Sequence, residues 1–405
     1  MNTYGGALNP APVNQPANQS PKWIIWGLVV LGLAAVGVVG WQVYKMAGAA
    51  PGAEAEQTQP LSPELKATIT ELKGFVEKER GLKFKRNVKV TLLSEKQFKA
   101  YVSDASASEP ETDEVDVGRV TFEALGLIEK NIDLDALGEA AAGQSLLGWY
   151  DSEEKALFVR GNKVTPFIKT ILVHELTHAL QDQHFDIVRE DLYEANDDSS
   201  LGLEAVVEGD ATRVEMAYYE SLTAEEERLV ELEANDAGDP ATSEVPDALS
   251  AWMAVPYQLG PVFMEAMFQD GGNDQLNKAL KNPPVTSEQL LYPDLYLANE
   301  PAVPVATPPA DGKAIDDGMF SQVGLVVILQ AAMDPEVAFQ AAEGWGGDQY
   351  VVWENGDKSC MRFDMVMETP RDQRELNAAL RTWAKEHGGA TVTTVGAATR
   401  TTACL

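Results

Sequence analysis

His174-Glu175-Leu176-Thr177-His178 constrains this chain more than any other stretch, because it holds two of the four histidines in 405 residues and has a chemical use only on a helix. On a helix the two imidazoles stand one turn apart on one face. Both can turn a ring nitrogen toward one metal ion, with Glu175 beside them as a general base. The flanking residues predict that helix. Thr165-Pro166 supplies an N-cap hydroxyl and a proline at the first helical position. Phe167, Ile168, Ile171, Leu172, Leu176, Ala179 and Leu180 then recur at helical spacing, with no Gly or Pro before Asp186. From the chain's own His and Glu frequencies, a coincidental match has odds on the order of a few in a thousand.

A catalytic zinc centre takes three protein ligands and leaves one position for water, so a third ligand must come from elsewhere. His184 has the spacing of the proteases in which a glycine turns the chain back toward the metal, but Gln181 stands at that glycine position. On an unbroken helix His184 is rotated by about 280° and displaced by about 15 Å from His174, too far to share an ion. The better source is the second helical stretch, Leu201 to about Leu232. Its Glu208 is followed by Gly209, a small residue suited to close helix approach. Glu204, one turn earlier, is either an acceptor for a ligand histidine or the ligand itself. Ordinary solvated carboxylates are the plain alternative in a chain with 63 acidic residues.

His174-Glu-Leu-Thr-His178-Ala-Leu-Gln-Asp-Gln-His184-Phe-Asp, followed by Val207-Glu208-Gly-Asp-Ala, resembles the gluzincin class of metallopeptidases. More narrowly, it is similar to a group of largely uncharacterised bacterial and archaeal surface proteins of that class. The resemblance implies zinc held by His174, His178 and Glu208, with Glu175 activating water. It extends more loosely from about Leu146 to Trp383, through Pro283–Pro293 and Gly344–Tyr350. In related sequences the first of these segments ends in His-Pro; here it reads Tyr292-Pro293, which makes Tyr292 the first candidate to stabilise an oxyanion, ahead of Tyr257 and His387.

Gly148–Asp151 and Ala156–Val159 bracket a polar turn and predict a β-hairpin before the metal helix. In zinc peptidases of this type an edge strand above the metal pairs with extended substrate; residues 156–159 could supply it here, and a hairpin that only covers the core is the equal alternative. Ser62-Pro63 predicts a helix with Leu65, Ile69, Leu72 and Val76 on one face, and a strand follows at Val88–Leu93. Near the C-terminus Tyr350–Trp353, the Asn355-Gly356 turn and the alternation to Met367 predict a hairpin with one apolar face, then a helix over Arg371–Lys385.

Trp23 to Trp41 is nineteen residues without a charge, bounded by tryptophans and flanked by Lys22 and Lys45. At about 1.5 Å per residue it would span roughly 28 Å, a bilayer's hydrocarbon thickness, which leads us to expect a transmembrane helix over 22–45. The polar, Pro- and Gln-rich residues 1–21 are expected to be disordered, and 46–61 to be a linker. Residues 62–405 are then the metallopeptidase domain, divisible into two lobes with the second from about 250.

The net charge of −32 argues against nucleic acid as a partner, since phosphate binding needs a neutralising surface. The basic residues Lys78, Arg80, Lys83, Lys85, Arg86 and Lys89 are read as a solvated face, and the acidic clusters at Asp104–Asp116 and Glu225–Glu233 as exposed surface. Cys360 and Cys404 are compatible with one disulfide in an oxidising compartment or with two buried thiols.

Together these features lead us to expect an α+β, zincin-like fold with ligand-bearing helices, a small sheet and one N-terminal transmembrane helix. The expected function is that of a single-pass membrane zinc endopeptidase, catalytic domain outside the cytoplasm, acting on a peptide or protein substrate. The alternative is an inactive zinc-binding surface protein that holds a peptide or envelope partner.

Overall fold

Ser62 accepts a hydrogen bond from the Leu65 amide across Pro63 and opens α1 (Pro63–Arg80), which ends on Gly81 at φ 63°. Ile69, Leu72 and Val76 line its buried face at the spacing that the sequence predicts, and Arg80 completes that face. The computed structural model describes residues 61–94, 96–98, 117–130, 132, 134, 137, 147–161, 163–193, 197–236 and 245–405. The tail at 1–21, the segment 22–45, nearly all of the linker at 46–61 and the acidic cluster at 104–116 lie outside the described residues.

The first sheet is small. β1 (Lys89–Leu93) runs parallel to β3 (Ala156–Arg160), and β2 (Gly148–Asp151) runs antiparallel to β3, giving the order β1-β3-β2. Asp151 closes the β2–β3 turn by accepting both the Glu153 and Glu154 amides at 2.8 Å. Residues 156–159 are therefore the centre of the sheet and not the expected edge, because β1 joins on their far side after a long excursion that includes α2 (Val117–Ala124). The arm of the hairpin that lies at a sheet edge is β2.

α3 (Pro166–Phe185) carries the motif. Thr165 caps it by accepting from the Ile168 amide at 3.2 Å. It lies between the first sheet and four helices, so nearly every side is buried. α4 (Glu190–Tyr193) leads into α5 (Asp197–Glu220) and α6 (Ala224–Asp236). Sequence periodicity suggests one helix here, but Thr223 and Glu226 cap each other's amides and restart the chain as a second one.

α7 (Asp247–Lys281) tolerates Pro256 and Pro261 and departs from helical geometry at Gly271 and Gly272. It crosses α5 backbone against backbone. A Cβ added at Gly209 would lie 2.3 Å from the Gly260 carbonyl, and one added at Gly260 would lie 2.1 Å from the Ala205 oxygen. Gly260→Ala must therefore push the helices apart. Its expected cost is about 3 kcal/mol, the upper end of overpacking, read as a lower urea midpoint with an unchanged slope.

The remaining chain forms α8 (Ser287–Leu291), α9 (Pro293–Ala298), β4 (Ala314–Gly318), α10 (Ser321–Gln330), α11 (Pro335–Ala342), β5 (Trp345–Asn355), β6 (Lys358–Met367), α12 (Pro370–Glu386), β7 (Thr391–Val395) and β8 (Ala398–Cys404). Its five strands make an antiparallel sheet in the order β4-β5-β6-β8-β7. Because β6 is central, both of its faces are largely buried, where alternation predicted one. Gly356, at φ 70°, makes the β5–β6 turn. Cys360 and Cys404 face each other across β6 and β8 and form a disulfide.

One hydrophobic cluster gathers α1, the first sheet and α3, and another gathers α7, α10, α12 and the second sheet. α5 supplies Val214 to the former and Leu203, Ala205 and Val206 to the latter. The fold is α+β. The expectation of a membrane-crossing element is corrected: among the described residues no helix is long and apolar enough to cross a membrane. Membrane attachment, single-pass topology and the location inferred from them are withdrawn.

Candidate metal centre

Three donor atoms from two helices converge. His174 and His178 project from adjacent turns of α3 with their rings edge to face at 4.6 Å, and Glu208 projects from α5. The Glu208 carboxylate Oε2 lies 3.2 Å from His174 Nε2 and 3.5 Å from His178 Nε2. One ligand atom from each of the three residues lies within 4.8 Å of the others. A tetrahedral zinc centre with bonds of ~2.1 Å has ligand–ligand edges of roughly 3.4 Å, so this donor set fits a divalent metal ion of that size and preference.

The opposite nitrogens are held as well. His174 Nδ1 lies 3.0 Å from Glu215 Oε2, and His178 Nδ1 lies 3.0 Å from Gln181 Oε1. With Nδ1 bonded to an acceptor, each ring presents Nε2 to the shared position.

The electrostatics favour a cation. Burial opposes charge on His174, but Glu208 and Glu215 outweigh it and hold its pKa well above the ordinary histidine value. Burial likewise opposes a charge on His178, and Glu208 again raises it. Partial burial works against ionisation of Glu208 too, yet the two imidazoles hold its carboxyl far below the usual range.

Glu175 is 3% exposed, and burial pushes its pKa up against the pull of His178 and His174. It sits under β2, where a Cβ on Gly148 would lie 3.1 Å from Glu175 Cγ. The hairpin is fastened to α3 by Asp182, which accepts from the Tyr150 hydroxyl at 2.8 Å and pairs with Lys155 at 3.0 Å.

Glu204 does not join the convergence. Burial and the Glu208 charge push its pKa up to about 8, and the histidine-bonding carboxylate is Glu215 instead. Glu215 follows Glu208 by seven residues, two turns along one helix face, and that spacing is the only sequence signal for it. His184 takes no part, because its Nε2 bonds the Lys83 carbonyl at 2.8 Å.

The structure brings Tyr257, not Tyr292, to this centre. Burial raises the Tyr257 pKa well above the tyrosine value. Glu208 and Glu204 add to this, and Glu175 does so as well. The Gly209–Gly260 crossing puts it there, since Tyr257 precedes Gly260 by one turn of α7. Tyr292 sits in other company: burial raises its pKa, and Gln322, Glu343, Glu288 and Glu368 are the groups that act on it. His387 stacks on Trp383 at the end of α12.

Residues 257–403 match DUF8575, a domain of unknown function. The DUF8575 segment begins at Tyr257 and leaves His174, Glu175, His178 and Glu208 outside it. No curated protein matches the chain, and no solved structure does.

Proposed function

We propose that the chain is a zinc-dependent peptidase. The observation that carries this reading is the convergence of His174, His178 and Glu208 with a buried Glu175 beside them. His₂Glu with one remaining position is the donor set of catalytic rather than structural zinc. A zinc ion held there supplies a lowered water pKa and a polarised carbonyl.

The chain's own groups do the rest. Glu175 takes the proton of the attacking water on a carboxyl oxygen and returns it to the leaving amine nitrogen. Its raised pKa suits both halves of that exchange. Tyr257, kept protonated by burial and neighbouring carboxylates, donates its hydroxyl to the developing oxyanion. β2 adjoins Glu175 through Gly148, which supports laying an extended substrate backbone along that strand.

The test measures zinc per chain and casein cleavage for the full chain, Glu208→Ala and Glu204→Ala. The expected outcome is zinc and cleavage in the parent, a zinc affinity weakened by more than the roughly 100-fold that outer partners command in Glu208→Ala, and retained zinc in Glu204→Ala. Retention in the first variant with loss in the second would refute the ligand set. Zinc without cleavage in the parent would favour a metal-braced binding protein.

A further inference from the structure

His178 stands at the end of a chain of hydrogen bonds that begins on a different helix. Arg80, the last residue of α1, is 1% exposed, and all of its bonds are to buried or half-buried partners. Its Nε donates to Asp210 Oδ2 at 2.8 Å, and its two terminal nitrogens donate to Asn273 Oδ1 at 2.7 Å and Asn277 Oδ1 at 2.9 Å. Asp210 on α5 is fully buried, and the same Oδ2 accepts from Gln181 Nε2 at 3.0 Å. That Gln181 nitrogen also donates to the Val207 carbonyl at 3.0 Å, and the other end of the amide, Oε1, lies 3.0 Å from His178 Nδ1.

The direction of every bond in this chain is forced. A guanidinium has no acceptor, so Asp210 must accept from it. The Gln181 amide faces two acceptors at one end, the Asp210 carboxylate and a backbone carbonyl, so its NH₂ lies there. Flipping it would set an oxygen against two oxygens in a buried site. Its carbonyl then faces His178, and the 3.0 Å bond to that oxygen forms only when Nδ1 carries the hydrogen, whereas Nε2 stands farther from its acceptor, 3.5 Å from Glu208 Oε2.

We propose that Arg80, acting through Asp210 and Gln181, fixes the proton of His178 on Nδ1 and so makes Nε2 its metal-binding atom. These three are positioning residues, and the proposal rests on the reading of the centre as a metal site. His174 reaches the same state by a shorter route, with Glu215 directly on Nδ1. The two ligands therefore differ: one imidazole leans on an anion, and the other on a neutral amide whose orientation is set from another helix. α1, α3, α5 and the distal part of α7 all meet in this network.

The chain's four histidines make this measurable without any metal or substrate. The full chain, labelled with ¹⁵N-histidine and kept metal-free above the pH at which His178 titrates, is read by long-range ¹H–¹⁵N correlation. His178 is expected as the Nδ1–H form. Gln181→Met, which keeps the side chain's length and the Arg80–Asp210 pair, is expected to convert it to a mixture of forms. It should also weaken zinc binding by about 10–100-fold in chelator competition.

Gln181→Glu keeps an acceptor for His178 while setting a carboxylate beside Asp210. It is expected to lose stability but retain the Nδ1–H form. Asn277→Ala is expected to lower the melting temperature and leave the tautomer unchanged. An Nε2–H form in the parent, or a Gln181→Met protein with parental tautomer and zinc affinity, would overturn the proposal. A parent with the expected tautomer that binds no zinc would instead sink the peptidase reading and leave the relay standing.

Discussion

Glu175→Gln is expected to keep the parent's zinc content and cleave casein about 10²–10⁴-fold more slowly, the range that a positioned general base contributes. Glutamine matches glutamate in shape, so the packing under Gly148 is preserved. Glu175 is not among the three residues whose donor atoms converge, and the metal should be unaffected by its replacement. What is lost is the proton acceptor. The site also changes by one unit of charge, which distinguishes the outcomes further. If Glu175 only balanced the charge of a structural metal, the variant would bind zinc less tightly and cleave as the parent does. Zinc titration and initial rates on one preparation separate the two.

Removing the disulfide with Cys360→Ser and Cys404→Ser together is expected to cost about 4 kcal/mol, the chain-entropy value for a loop of this length. The two cysteines are 44 residues apart and pair directly across β6 and β8. Cys360 is fully buried beside Val351 and Trp353, so the serine left there loses apolar contact as well. The loss should appear as a lower denaturant midpoint. Zinc content should hold, since the ligands belong to α3 and α5. Reduction of the parent should match the double variant, and an unchanged midpoint in both would show that the bond stabilises nothing.

Local signals were legible wherever chemistry and structure depend on neighbours in sequence. Ser62 and Thr165 each begin their helix where a cap hydroxyl followed by proline says it should. His174, His178 and Glu208 could be named because a helix face and a gap in coordination are both local arguments. What failed depended on tertiary neighbours. Arg80 reads as one cation among six on a basic face, yet it is buried, because Asp210 lies opposite it across 130 residues of chain. The sequence points to Tyr292 ahead of Tyr257 because nothing in the order of residues reveals that Gly209 and Gly260 touch. Glu204 reads as the outer acceptor or the ligand itself, while Glu215, two turns from Glu208, is hidden among 63 acidic residues. Ala156–Val159 reads as an edge because the parallel partner β1 arrives from far upstream.

The crossing of α5 and α7 also straddles the edge of the matched segment. The DUF8575 boundary at Tyr257 falls inside α7 rather than between elements, three residues before the glycine on which α5 rests. Excised at that boundary, the segment would present a backbone groove shaped to receive a helix it no longer possesses. The seat at Gly260 lies within the matched segment and the helix that bears Glu208 lies outside it, so the centre draws on both sides of that boundary.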